Sequence, residues 1–317
     1  MSGLSTSWTL VSLDEDALVV RMGECLDVRS FAELLLVSKA EARRVVARGQ
    51  LVREGIVLRA QDALDEGDIV TLRFRGDDGE PSSDDLASSP AAPTPLDLVY
   101  QDQIMLAVDK PAGLLVHGDG TGADTLAARV QSELALRGRR VSPQPVQRLD
   151  VETTGIVLFS LVSEFQPALD AQVSGHNMLK RYLAVVEGRL AGTADKWLEL
   201  DGPIARDRHD ARRMRVGRTG KPSLTRVRTI ERQGGCSLLL VELRSGRKHQ
   251  IRVHLAHEGH PIVGDALYGG KRHPDGLMLH AWGERLVHPV TGETLELHTA
   301  WPARFTPLFP KHAWDGV

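Results

Sequence analysis

Residues 76–95, "GDDGEPSSDDLASSPAAPTP", constrain the fold of this 317-residue chain more than any other stretch. Pro, Ser, Asp and Ala dominate it, and the five acids between Asp77 and Asp85 meet no base. A segment with so little apolar surface to hide cannot offset the entropy of ordering, so it reads as a flexible linker. It separates a small unit, residues 1–75, from a large one, residues 96–305, with residues 306–317 as a tail.

The bulk properties describe an ordinary globular protein, with 42% hydrophobic and 26% charged residues. No apolar run is long enough to cross a bilayer. The start meets Asp and Glu early and lacks a basic leader, so no secretory signal is expected. Cys25 and Cys236 stand far apart, which points to reduced thiols in a cytoplasmic setting. A monomer is the default. The formal net charge of −3 argues against a histone-like binder, yet it hides a basic segment. From Arg206 to Lys221, six Arg and one Lys face only Asp207 and Asp210, a local net charge of +5.

In the small unit, "RSFAELLLVSKAEARRVVARGQL" carries two amphipathic helices joined near Val37-Ser38. Ser38 can cap the second helix with Glu41 at the capping-box position, and Gly49 ends it. Arg43, Arg44 and Arg48 fall roughly on one side. Short alternating strands follow, with turns at Glu54-Gly55 and Glu66-Gly67-Asp68. The pattern from about Ser30 to Phe74 resembles the S4 RNA-binding domain. That resemblance implies an Arg-rich face for structured RNA, built here from Arg43, Arg44, Arg48 and Arg53. The usual Asn-Gly turn is Glu54-Gly55 in this chain, and the common Arg-Leu-Asp opening is absent.

Beyond the linker, strands and helices mix without a strict βαβ rhythm, so an α+β fold is expected. "LDLVYQDQIMLAVDK" reads as two strands, "ADTLAARVQSELALRG" as a helix and "SEFQPALDAQVSG" as another. "MLKRYLAVVEGRL" reads as a strand, "TRVRTIERQGGCSLLLVELRSG" as a hairpin and "RKHQIRVHLAHEGH" as a helix ending at Gly259.

Within "PVQRLDVETTGIVLFS", Ile156 to Phe159 form a buried strand, and Arg148 and Asp150 sit on the loop before it. A carboxylate on a loop held by a core strand is well placed to be aimed at a substrate. A surface ion pair at a turn has the same local sequence. No P-loop, dinucleotide glycine fingerprint or G-x-S-x-G elbow is present, so no cofactor is expected. His249, His254, His257 and His260 are spaced five, three and three apart, a poor metal-ligand pattern, and no metal is expected.

Four pieces stand in order: "KPAGLLVHGDG", "QRLDVETTGIVLFS", "KRYLAVVEG" and "SGRKHQIRVHLAHEGHPIVGDALYGG". Together they resemble the RluA-type RNA pseudouridine synthases over nearly all of residues 96–301, and an S4-like module is a usual companion in that family. The resemblance implies a largely antiparallel central sheet with flanking helices and loops, and isomerisation of uridine in RNA without a cofactor. It implies Asp150 as the catalytic carboxylate, Arg252 as the guanidinium that keeps it ionised, and Tyr182 as the aromatic face for the base. Arg148 would fill the gap left by the flipped nucleotide, and Leu279 would line an apolar wall. Arg212, Arg213, Arg215 and Arg247 are further candidates for phosphate contact. Ribosomal RNA is the first expectation for the partner, with transfer RNA open. A non-catalytic RNA-binding or ribosome-assembly factor on the same scaffold is the alternative. One departure stands out: the family usually has His before Arg-Leu-Asp, and this chain has Gln147.

Overall fold

The structure is a computed structural model that describes residues 7–75, 95–118, 123–190 and 196–310. The expected linker lies outside these residues except for Pro95, as does the tail from 311 onward.

The N-terminal part begins with a hairpin, β1 (Trp8–Leu13) and β2 (Ala17–Met22). The short strand β3 (Leu26–Asp27) leads into α1 (Val28–Leu36), whose first turn is capped by Asp27 accepting from the Ser30 amide. Val28, Phe31, Ala32, Leu35 and Leu36 form its buried stripe, at helical spacing. Ser38 caps α2 (Lys39–Ala47) by accepting from the Glu41 amide, and Gly49 closes it with φ +67. Strands β4 (Leu51–Arg53), β5 (Ile56–Val57), β6 (Ala63–Leu64) and β7 (Ile69–Arg73) follow. Glu54 and Gly55 both have positive φ, as a two-residue hairpin turn requires, so Glu54 holds a conformation that suits Asn or Gly better. The five-stranded sheet runs β1-β2-β7-β4-β5. Sequence patterning passed over β1, because four of its six residues face solvent and no alternation shows.

The larger part is a mixed sheet of ten strands. In chain order it contains β8 (Asp97–Gln101), β9 (Met105–Lys110), α3 (Leu126–Leu136), β10 (Gln144–Pro145), β11 (Thr154–Ser160), α4 (Gln166–Ser174) and β12 (Leu179–Glu187). Next come β13 (Leu198–Leu200), the small separate hairpin β14 (Ile204–Arg206) and β15 (Met214–Val216), and the long hairpin β16 (Thr225–Gln233) and β17 (Cys236–Leu243). Helix α5 (Gln250–His257), β18 (Leu279–Val287) and β19 (Thr294–His298) complete it. The spatial order is β13-β16-β17-β12-β18-β11-β9-β8, with β10 on β11 and β19 on β18. Every pairing of these strands is antiparallel except β11 with β18. That exception rests on Gly155: a β-carbon there would lie 2.2 Å from the Ala281 carbonyl oxygen, at φ +111.

Strand β11 serves two cores. Ile156 and Leu158 join one hydrophobic cluster, and Val157 and Phe159 join another with α3, as the period-2 alternation demands. The first cluster is continuous from Leu18, Phe31 and Leu72 to Ile104, Phe165 and Leu169, so the N-terminal part packs on the larger one. Phe74 meets Phe165 edge to face at 6.0 Å. Buried Glu164 accepts from the Gln50 side-chain amide at 2.5 Å and the Arg75 backbone amide at 3.1 Å. The expectation of two units had given no hint of this contact. At the other end the core continues beyond residue 305, since Phe305 and Phe309 are both fully buried. Among the described residues no helix is long and apolar enough to cross a membrane.

Candidate active site

The loop between β10 and β11 carries Asp150. Its C-terminal side is closed by the Thr153 amide donating to the Asp150 carbonyl at 3.0 Å. Lys110, at the end of β9, is fully buried and donates from Nζ to the carbonyls of Pro111, Leu114 and Val151 at 2.8, 2.8 and 2.9 Å. Burial pushes its ammonium down to about 8, an effect moderated by nearby Glu152. Three carbonyls therefore converge on one cation and tie the loop to the neighbouring turn, beside Asp150. On the other side of the loop, Gln147 donates to buried Glu284 on β18 at 2.5 Å.

Asp150 is met from α5. Arg252 donates from Nη1 to Asp150 Oδ2 at 3.0 Å and, through Nε and Nη2, to both oxygens of Asp265 at 2.8 Å each. Asp265 is buried, so the guanidinium is held in a planar two-bond fork and offers its remaining edge to Asp150. Burial alone would lower the pKa of Arg252, but the two carboxylates outweigh it and raise it further, so its charge is permanent. The Tyr268 ring lies against the guanidinium at 5.2 Å. His249, in a left-handed conformation before α5, places Nε2 3.7 Å from the same Asp150 Oδ2, while its Nδ1 is 2.8 Å from the Tyr268 hydroxyl. Burial lowers the pKa of His249, against the opposing pull of Asp150 nearby. Both neighbours thus engage Oδ2, and Oδ1 has no hydrogen-bond partner among the described residues. The Asp150 side chain, 27% exposed, opens onto a cleft of about 750 Å³.

Comparisons with known proteins identify the family and the fold. The family model for RNA pseudouridylate synthase matches residues 104–257, a span that holds Asp150, Tyr182 and Arg252. A protein of Bacillus subtilis named uncharacterized RNA pseudouridine synthase YlyB is 33% identical over 275 residues, covering 84% of this chain and 86% of that one. Ribosomal large subunit pseudouridine synthase D of Xylella fastidiosa is 33% identical over 288 residues, covering 86% and 82%. Among solved structures, human RNA pseudouridylate synthase domain containing 1 superposes with a TM-score of 0.57 at 26% identity, over 71% of this chain and 90% of that one. The chain belongs to the RNA pseudouridine synthase family. Its members are isomerases, and the mixed, largely antiparallel sheet is their fold.

The synthase cleft gathers many of the residues singled out from sequence. Tyr182, Arg148, Arg212, Arg247 and Leu279 all line it with Asp150 and Arg252. Tyr182 is buried, and burial, with Glu284 and Asp150 nearby, pushes its hydroxyl pKa up, so it stays a neutral phenol. Arg213 instead lies over the Tyr268 ring at 5.4 Å, and Arg215 sits on β15; neither lines the cleft. Arg43 and Arg44 are exposed on α2 and Arg48 at its C-terminal cap, and Arg44 is ion-paired with Glu41. Arg53 is engaged by Asp68 at 2.5 Å. The histidines of the cluster are dispersed: His254 bonds Thr225 and the Gly202 carbonyl, His260 the Glu187 carbonyl, and His249 Tyr268. Among the described residues no cluster of three or more His, Cys, Asp or Glu is arranged for a metal.

Sequence reasoning missed Lys110, Lys180, Asp265, Tyr268 and Glu284. Lys180 carried a signal, since it stands two residues before Tyr182 on a strand and so shares its face. Lys110 carried a weaker one, in its position at the start of a Pro-Ala-Gly turn. Asp265 and Tyr268 stood within the fourth motif but without an assigned role, and Glu284 carried no signal, because its partner is set by the tertiary fold.

Proposed function

We propose that this synthase isomerises specific uridines in structured RNA, with ribosomal RNA as substrate and Asp150 as the catalytic carboxylate. The observation that carries the assignment of Asp150 is the asymmetric hold on its carboxylate. Oδ2 is pinned by Arg252, while Oδ1 is left open on the cleft. Pseudouridine formation breaks the uridine N1–C1′ bond, turns the uracil and rejoins it through C5. An ionised carboxylate beside the ribose serves either as nucleophile at C1′ or as base at C2′. Arg252 fixes the orientation of the carboxylate by holding one of its oxygens. The Tyr182 ring offers a stacking face for the base and its phenol a proton donor; Leu279 supplies apolar wall. The base must leave its stem to enter the cleft, and exposed Arg148, two residues from Asp150, is suited to fill the space it vacates.

Residues 1–75 are read as an S4-like RNA-binding module. Two helices and a turn-linked sheet support that reading, with Arg43 exposed on α2 and Arg48 exposed at its C-terminal cap. The ribosomal target is supported by relatives named ribosomal large subunit pseudouridine synthase D. The test is a pseudouridine map of total RNA by carbodiimide labelling and primer extension in cells with the intact protein, a deletion, or Asp150→Ala. Stops in ribosomal RNA lost from both altered strains are the expected result. A map that is identical in all three, together with inactive purified protein on unmodified transcripts, would favour the non-catalytic alternative.

A further inference from the structure

Strand β12 delivers a second group to the cleft besides Tyr182. Lys180 and Tyr182 are two residues apart and both line it. Arg181, between them, points the other way and is paired with Glu242 at 3.3 Å. Lys180 has no such engagement: among the described residues no hydrogen-bond partner and no carboxylate within ion-pair distance is found for its ammonium. Its Nζ lies beside Gly246 of the cleft wall, where a β-carbon would be 3.6 Å away. Directly across the β12–β18 register is Glu284, buried and held by the Gln147 amide. Burial pushes the Glu284 carboxyl up to about 8 although the Lys180 ammonium nearby opposes that shift, and no ion pair or hydrogen bond joins the two side chains. Burial lowers the pKa of Lys180 as well. The remaining cleft cations Arg148, Arg212, Arg247 and Lys248 are exposed at the rim, and Arg252 is committed to two carboxylates. Lys180 is thus the half-buried cation of the cleft that the described carboxylates leave available.

We propose that Lys180 is a further catalytic group of this synthase, donating to an exocyclic oxygen of the uracil while the base is detached from the ribose. The proposal rests on the reading of Asp150 given above. When the N1–C1′ bond breaks, its electron pair stays with the uracil, and the negative charge spreads from N1 onto O2 and O4. C1′ is meanwhile held by the carboxylate, or has lost its neighbouring C2′ proton to it. As C5 bonds to C1′, the bond from C1′ to the carboxylate breaks, or the carboxylic acid returns its proton to C2′; the C5 proton departs and N1 is protonated, so the reaction is balanced with no redox partner and Asp150 ends as it began. The departing base is an anion on either route, and a fixed ammonium in a partly desolvated cleft stabilises such a charge far more than water does. Lys180 donates a hydrogen bond throughout and finishes as it began.

The experiment uses the full chain and an unmodified transcript carrying the mapped site. Single-turnover rates and RNA affinities are measured for wild type, Lys180→Met, Lys180→Arg and Asp150→Ala at two salt concentrations. Lys180→Met should lower the single-turnover rate about a hundredfold while leaving affinity within about twofold and its salt dependence unchanged. Lys180→Arg should recover much of the loss. An unchanged rate in Lys180→Met overturns the proposal. So does a loss confined to affinity with a salt slope smaller by about one, which would put Lys180 on a phosphate. If Lys180→Met fails to fold, as seen in its melting curve, Lys180→Gln is held to the same criteria. An inactive wild type on every transcript overturns the function reading and this proposal with it; an active wild type beside an equally active Lys180→Met overturns this proposal alone.

Discussion

At the scale of single residues, the centre of the site is one guanidinium divided between two carboxylates that differ in burial. Asp265 is 2% exposed and takes two bonds from Arg252; Asp150 takes one and keeps an oxygen free. Stability and activity should therefore separate. Arg252→Met strands the buried Asp265 charge and should cost about 3–5 kcal/mol in urea unfolding. Asp150→Asn leaves the Arg252–Asp265 fork intact and should shift stability by less than about 1 kcal/mol while abolishing pseudouridine formation. Glu284 gives a second, pH-dependent prediction. Its folded carboxyl titrates near 8 against an ordinary value of 4.5, so between those values the folded state holds a proton that the unfolded chain has lost. Its contribution to stability is thus present in acid and lost as pH rises through that window. Relative to wild type, Glu284→Gln should gain stability steadily from pH 5 to pH 8 in paired urea titrations.

At the scale of elements, the geometry depends on strands that the chain announces plainly. The apolar run Ile156–Phe159, the β16–β17 hairpin and α5 were readable because their side chains alternate or recur with the period of the element they form. The loop that carries Asp150 was readable from the glycine and strand that follow it. What could not be read is what crosses between elements. Asp265 and Glu284 meet partners 13 and 137 residues away, and no local pattern encodes such meetings. The same holds for β1, an exposed edge strand, and for the packing of Phe74 on Phe165. Two substitutions test these element contacts. Gly155→Ala drives a β-carbon into the backbone of β18 at a positive φ and should cost at least about 2 kcal/mol, seen as a lower urea midpoint. Phe74→Ala should speed amide exchange in β1, β2 and β7 while leaving β11 and β12 protected.

At the scale of the whole molecule, charge is sorted rather than balanced. The chain carries a net −3, yet Arg148, Lys180, Arg212, Arg247, Lys248 and Arg252 line a cleft whose acids are Asp150 and Glu152. Such a cluster draws a polyanion toward that opening despite the net negative charge of the chain. RNA affinity should fall steeply with added salt, and an Arg212→Ala, Arg247→Ala double variant should flatten the log–log slope by up to about two, measured by titration from about 50 to about 200 mM salt. The buried contact of Glu164 with Gln50 and the Arg75 amide has an effect of another kind. Under the proposed reading of α2 and the cleft as surfaces that grip RNA, it joins them into one calliper. With the jaws set by packed side chains, an RNA that touches both α2 and the cleft must present its two points at one fixed span. Substrates would then be sorted by the length and bend of a stem, and a transcript shortened between those points would lose one grip even with its target loop intact.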